Sequence, residues 1–409
     1  MSFVEKRFIE KRKEFRPATG EAPFALKEVF FSRTDERGVI QAANYIFARV
    51  AHYSWEEILG APHKLIRHPD MPKGVFWLLW NTIQKGEPMG AYVKNLAKDG
   101  LHYWVFAVVI PIEGGYLSNR IKPSSPTFDL VRDLYAEALK REKEDGLSPE
   151  QSAQFLLERI KALGFDDYNQ FATQALSQEL TARQEGIGGK PDLLIRKADT
   201  MLKNAAELEN ETLSLIREFE TMRTIPHNMR VIASRLEPTG GPVSTLSQNY
   251  GAMSQEISDW FDHHVNGPDS TFATIKSSAN NVVFMRCMAR IMTETVRQLD
   301  RERRSLGDID IAAEREILNK VKTDYDALTQ KRTAQVYEEA GKILAACRIM
   351  HRQVLGLSTT RVMCKIEGAR IAGQGESLHD IIKQLETFQS RIKARLDQIA
   401  QIGELIQAG

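Results

Sequence analysis

A chain of 409 residues is too long for one simple core and implies two or three domains. With 55 Lys and Arg against 54 Asp and Glu, a net charge of +1 gives no bulk field to draw nucleic acid or an acidic substrate. No apolar run approaches about 18 residues and the sequence shows no signal peptide with an apolar central region, so the expectation is a cytoplasmic protein with no transmembrane segment.

In chain order, residues 1–24 interleave Lys6, Arg7, Lys11, Arg12, Lys13 and Arg16 with Phe3, Val4, Phe8, Ile9 and Phe15, which predicts an amphipathic N-terminal helix docked on a neighbouring domain. Residues 25–121 read as mixed α and β. Phe30–Thr34 and Val39–Ala42 are short strands joined by the turn Asp35-Glu36-Arg37-Gly38. Ser54, with Glu57 three residues on, starts a short helix that Gly60 ends.

The sequence Arg67-His68-Pro69-Asp70-Met71-Pro72 follows. Two prolines force turn or extended backbone on their neighbours, so a rigid loop holds three ionisable side chains. On these six residues alone, a surface turn with a salt bridge and a clamp for a polar ligand remain open. Lys73–Lys85 is the next helix, closed by Gly86. Strands at Ala91–Leu96, His102–Ile112 and Gly115–Ile121 come after it, the first two joined through Lys98-Asp99-Gly100.

Residues 122–191 are a helical linker, with helices over 127–144, 148–163 and 166–184 and proline at the first position after Ser148. Gly186–Pro191 resembles a phosphate loop only in its glycines: it follows no strand and lacks the Lys-Ser/Thr ending, so it reads as a linker. From 192 to 409 the pattern is helical. Leu194, Met201, Leu208, Leu215, Met222, Met229 and Leu236 recur every seven residues, the mark of long helices packed as in a coiled coil or four-helix bundle.

Two hairpin tips are expected, near 236–242 and 371–377. An offset of 135 places Arg235 on Arg370 and Gly240 on Gly375, which reads as an internal duplication. Cys287, Cys347 and Cys364 lie far apart with no metal spacing, so they read as reduced thiols. His263-His264 lacks companion ligands, and no metal site is expected. Nor does the chain carry a nucleotide-binding kinase pattern, a cyclase signature or a nucleophile elbow, so it reads as a non-enzyme with no catalytic residues.

The segments FFSRTDERGVIQAAN, YSWEEILGAPHKLIRHPDMPKGVF and KGEPMGAYVKNLAKDGLHYWVFAVVIPI together resemble the PAS domain of bacterial aerotaxis receptors. The resemblance implies an α+β fold, a five-stranded antiparallel sheet with small helices, whose pocket holds FAD and reports redox or oxygen state. By position it makes Arg67, His68 and Asp70 cofactor-contacting, with Asn44 and Trp80 in the pocket. Asp70 would accept from the ligand or orient Arg67, and Trp104 would pack in the core. Met89 stands where that family has tryptophan after Gly-Glu-Pro, and a thioether can still pack on a ring system.

Heme is the alternative ligand, with His52, His63, His68 or His102 as axial candidates. A scaffold that holds no cofactor is the alternative function. The region after 192 resembles, more weakly, the signalling hairpin of methyl-accepting chemotaxis proteins. Asn228, Ala233, Arg235 and Gly240 match in the first copy, and Ile366, Glu367, Ala369, Arg370 and Gly375 in the second. That resemblance implies a chemotaxis adaptor or histidine kinase as partner, and self-association. The 127–184 helices would carry the signal to the bundle.

Overall fold

The structure is a computed structural model, and it describes residues 15–222, 227–231, 234, 241–264, 270–302, 309–370 and 375–408. Five strands form one antiparallel sheet in the order β2-β1-β5-β4-β3. They are β1 (Val29–Asp35), β2 (Ile40–Ala43), β3 (Met89–Leu96), β4 (His102–Ile112) and β5 (Gly115–Ile121). The β1–β2 turn is fixed by Asp35, whose Oδ1 accepts the amides of Arg37 and Val39, and by Gly38 at φ +77°. Between β2 and β3 lie α1 (Tyr45–Ala51), α2 (Trp55–Ile58), a 3-10 turn (His63–Ile66) and α3 (Lys73–Ile83). Glu57 accepts the amide of Ser54 at 3.0 Å in the capping box expected there.

Alternation along the strands sorts the sheet into two buried faces. The inner face carries Phe30, Tyr103 and Val105, which pack with Phe47, Ile58 and Ile66 from the small helices. Aromatic rings lead this core: Phe24 meets Phe30 edge-on at 5.1 Å and Phe30 stacks on Tyr103 at 5.8 Å. The outer face is covered by helices from later in the chain, α4 (Pro126–Glu144), α6 (Tyr168–Gly186) and part of α9 (Thr271–Glu302), while α5 (Pro149–Ala162) packs on α3. Tyr92 of β3 stacks on Phe128 of α4, and Trp104 of β4 packs on Phe128 and Tyr135. Burial on both faces explains why β4 reads as a nearly continuous apolar run.

Glu179 of α6 holds this layer together. It is fully buried and accepts from Tyr92 Oη (2.7 Å), Ser125 Oγ (2.6 Å) and the amides of Ser124 and Ser125, which cap α4. Every one of its strong acceptor sites is met, so this carboxylate is a staple.

The later helices are α7 (Leu193–Met222), α8 (Pro242–His264), α9, α10 (Ile311–Arg370) and α11 (Gly375–Ala408). Contacts divide the chain into two units. One holds residues up to Arg196 together with Val283–Thr329; the other holds Lys197–Val282 and Gln330–Gly409. In the second unit α7 and α11 run antiparallel, with Phe219 against Phe388 (5.4 Å) and Glu211 paired with Arg395 (2.7 Å). Met201, Leu208 and Leu215 of the sevenfold stripe are buried, whereas Leu194 at its start is exposed.

Several expectations shift. Residues 1–14, which carry most of the expected N-terminal helix, lie outside the described residues; the remainder, residues 15–24, has no helical turn, and Ala22 donates its amide to His102 O at 2.7 Å. Residues 122–191 fold as the outer layer of the sheet unit rather than as a spacer, because Trp104, Tyr92 and Phe106 need a cover. The bundle expected over 192–409 is interrupted, since Val283–Thr329 belongs with the sheet. Of the tip residues, Arg235 and Gly240 lie outside the described residues. Glu367 and Arg370 close α10 with side chains outside the description, and Gly375 opens α11.

Candidate functional site

The Arg67–Pro72 loop is pinned to β3. Arg67 bridges Asn95 by backbone pairing, His68 donates its amide to Lys94 O (3.4 Å), and Lys94 donates its amide to Met71 Sδ (3.1 Å). Pinning to a strand buried on both faces gives the loop a fixed position. Behind it, between the inner sheet face and α3, lies a cavity of about 290 Å³. That sits near the lower end of the roughly 300–1,000 Å³ typical of ligand sites.

The sequence-predicted residues divide around this cavity. Arg67 lines it, with its guanidinium 3.7 Å above the Phe76 ring. Trp80 forms a wall and meets Tyr116 edge-on at 5.6 Å. His68 and Asp70 are not cavity walls. His68 Nδ1 accepts the amide of Asp70 at 3.0 Å, which fixes its proton on Nε2, and Asp70 pairs with Lys94 at 3.4 Å. Asp70 therefore partners Lys94 and not Arg67. Met89 is buried at the start of β3, opposite Val109, and does not line the cavity.

Asn44 is fully buried and occupied as the N-cap of α1. Its Oδ1 accepts from Phe31 N (3.0 Å) and Phe47 N (3.2 Å), and its Nδ2 donates to Val29 O (2.8 Å). Of the four histidines weighed as iron ligands, only His63 faces the cavity. His52 caps the C-terminus of α1 at φ 60°, and the rings of His68 and His102 lie 6.2 Å apart outside it.

The cavity's polar groups come from the strands and not from the Arg67–Pro72 loop alone. Ser118 and Arg120 of β5, Asn95 of β3 and Ser32 of β1 all take inner-face register positions. A polar side chain at an inward strand position is the sequence signal that marks them. Arg120 is only 4% exposed; its guanidinium donates to Ser32 Oγ (3.1 Å) and to His63 Nε2 (2.5 Å) and lies 5.5 Å from the Phe47 ring centre.

Because arginine can only donate, His63 carries its proton on Nδ1. Burial, with the Arg120 charge beside it, pushes the His63 imidazole down to about 3. Burial also lowers Arg120 to about 10, so it stays charged at neutral pH. Among the described residues no carboxylate stands in salt-bridge contact with Arg120. Two further buried atoms, Asn95 Nδ2 and Ser118 Oγ, have no hydrogen-bond partner. An uncompensated buried cation and two orphaned polar groups around one cavity are costly in a sealed core and are satisfied by an electron-rich, hydrogen-bonding ligand.

No group of three or more potential metal-ligating side chains occurs among the described residues. None of the described helices is long and apolar enough to cross a membrane.

Residues 42–117 match a family model described as the PAS fold. The aerotaxis receptor of Escherichia coli (strain K12) is 42% identical over 118 residues, which are 28% of this chain and 23% of that receptor. The chain thus spans less than a quarter of the length of that relative. Similar solved structures include the PAS domain of a protein from Colwellia psychrerythraea, 22% identical over 23% of this chain and 85% of that one, with a TM-score of 0.20. Another is the LOV domain of a blue-light activated histidine kinase from Erythrobacter litoralis EL346, 15% identical over 22% of this chain and 90% of that one, with a TM-score of 0.21. The sheet domain is a PAS domain related in sequence to that of an aerotaxis receptor.

Proposed function

We propose that this chain is a redox-reading signal transducer whose PAS cavity holds the ring system of a flavin, FAD, and whose helices pass the ligand's state to a chemotaxis-like output. The observation that carries the reading is the charged, carboxylate-free Arg120 beside the orphaned Asn95 Nδ2 and Ser118 Oγ. When bound, a flavin supplies reversible electron uptake at a ring edge that accepts hydrogen bonds. Asn95 donates an amide proton toward that edge and Ser118 presents a rotatable hydroxyl. Arg120 raises the affinity of the site for the electron-rich state, because a fixed charge in a desolvated pocket acts at low effective dielectric. His63 stays neutral and orients Arg120. Trp80 and Phe76 supply apolar walls.

Strand β5 supports a relay. Ser118 and Arg120 face the cavity while Asn119 between them faces outward and accepts from Thr295 of α9 at 2.9 Å. A change in what Ser118 or Arg120 binds therefore reaches a covering helix through one strand residue. The relay is a population shift between two packings of α9 on the sheet. A chemotaxis adaptor or histidine kinase is the proposed partner. The alternative of a protein-docking sheet is opposed by the outer face, which α4, α6 and α9 already cover.

The full chain purified under gentle conditions should be yellow, release FAD on denaturation, and bleach reversibly with dithionite. A colourless protein that also fails to take up added FAD or riboflavin rejects the reading.

A further inference from the structure

A second concavity, of about 690 Å³, lies between residues 62–73 and α4, and it shares Pro62, Lys64 and Arg67 with the inner cavity. Its walls bring together Lys64, Arg67, Lys73 and Lys143 with a single carboxylate, Glu142. That carboxylate is already engaged: its Oε1 accepts the amides of Lys73 (2.6 Å) and Gly74 (3.4 Å) at the start of α3, and Ser152 Oγ (2.6 Å). Among the described residues none of the four cations is in salt-bridge contact with a carboxylate. Like charges gathered around one groove repel one another, and a polyanion relieves that repulsion.

The inner cavity alone has room for a ring system and not for a whole dinucleotide. We propose that the outer groove receives the diphosphate–adenosine half of the dinucleotide whose ring lies in the inner cavity, with Lys73 and Lys143 binding the diphosphate and Arg67 standing where the two halves join. This rests on the flavin reading above. Four cations less one carboxylate leave the groove with the charge to hold a diphosphate, and Leu139 and Leu65 give it apolar walls. Lys143 and Leu139 belong to α4, which follows the five-stranded domain. The ligand would therefore touch a helix of the outer layer directly, a second route besides β5 by which occupancy is read.

The test compares FAD with riboflavin, which shares the ring and lacks the diphosphate. Dissociation constants of both are measured by flavin fluorescence on the full chain stripped of ligand, for the unaltered protein and for Lys73→Ala/Lys143→Ala. Both side chains are exposed, so the variant should fold. The expected result is a loss of FAD affinity of roughly tenfold per lost charge-assisted contact, with riboflavin unchanged. FAD affinity of the unaltered protein should also fall with added salt while riboflavin affinity does not. Equal behaviour of the two flavins, in the variant and across salt, overturns the groove assignment while leaving the flavin reading intact. Binding of neither flavin by the unaltered protein sinks both.

Discussion

Glu302 shows how one side chain ties a distant segment to the sheet domain. It ends α9, is 6% exposed, and accepts from Tyr45 N (2.8 Å), Gln298 Nε2 (2.6 Å) and Asn44 Nδ2 (3.4 Å), so it sits over the N-terminus of α1 beside Asn44. Burial raises its carboxyl to about 7, against the downward pull of Gln298 and the amides of Tyr45 and Ile46; Glu28 adds a smaller upward push. A carboxyl raised in the folded state binds a proton that the unfolded chain gives up near 4.5. Its contribution to stability is present below 4.5 and is lost as the pH rises through about 7. His63 works in the opposite direction, since its depressed value makes stability rise as the pH climbs from about 3 to 6.5. The difference between native protein and Glu302→Gln isolates the first group. We expect the variant to gain stability relative to the native protein across this range, by on the order of 2–3 kcal/mol at its upper end. Urea unfolding midpoints measured across the range check this, and parallel curves for the two proteins would refute the burial argument.

At the scale of elements, helix α3 depends on a close approach that only glycine allows. A Cβ on Gly74 would stand 2.5 Å from Ala153 N and 2.5 Å from the Ser152 carbonyl carbon, both backbone atoms of α5. Gly74→Ala must therefore push α3 and α5 apart, loosening the Glu142 cap on α3 and the wall of the inner cavity. A cost of about 1–3 kcal/mol is expected, a fall in Tm of several degrees. An unchanged melt would show that the two helices do not meet this closely. The sequence could not announce this contact, because a glycine after Met71-Pro72-Lys73 reads equally well as part of a turn. Other elements were open to reading. The Asp35–Gly38 turn, the Ser54 and Ser148 caps and the Lys98-Asp99-Gly100 turn between β3 and β4 each carry a local signal that packing did not override. Asn44 caps α1, and a short polar residue before an apolar helix looks the same in sequence whether it faces a ligand or caps the helix. Asn95, Ser118 and Arg120 belong to no motif; strand register alone carries them into the cavity.

For the molecule as a whole, the heptad stripe announced long helices but not what each would lie against. Apolar period says which face of a helix is buried and is silent about the partner, so Val283–Thr329 read as bundle although it packs in the sheet unit. Its attachment is specific: Thr295 bonds Asn119, Glu302 caps α1, and Glu314 takes Arg33 in a two-pronged pair with contacts of 2.7 Å and 3.0 Å. Buried apolar residues Phe284, Met288 and Ile291 lie in the same segment. Losing it would strip the outer face of β1 and β5 and leave Asn119 without its Thr295 partner. A chain ending at residue 196 should keep all five strands yet lose about 3 kcal/mol or more from the opening free energy of β1 and β5. Their amides should then exchange at least about 100-fold faster than in the full chain. Peptide-resolved hydrogen exchange reads this directly, with the amides of residues 92–95 in β3, where Tyr92 meets Phe128 of α4 and Glu179 of α6 in both chains, as the internal reference. Acceleration confined to β1 and β5 fits a segment docked on those strands. Unchanged exchange throughout would show that the sheet is stable without it, and the β5 relay to α9 would then have no energetic coupling to carry it.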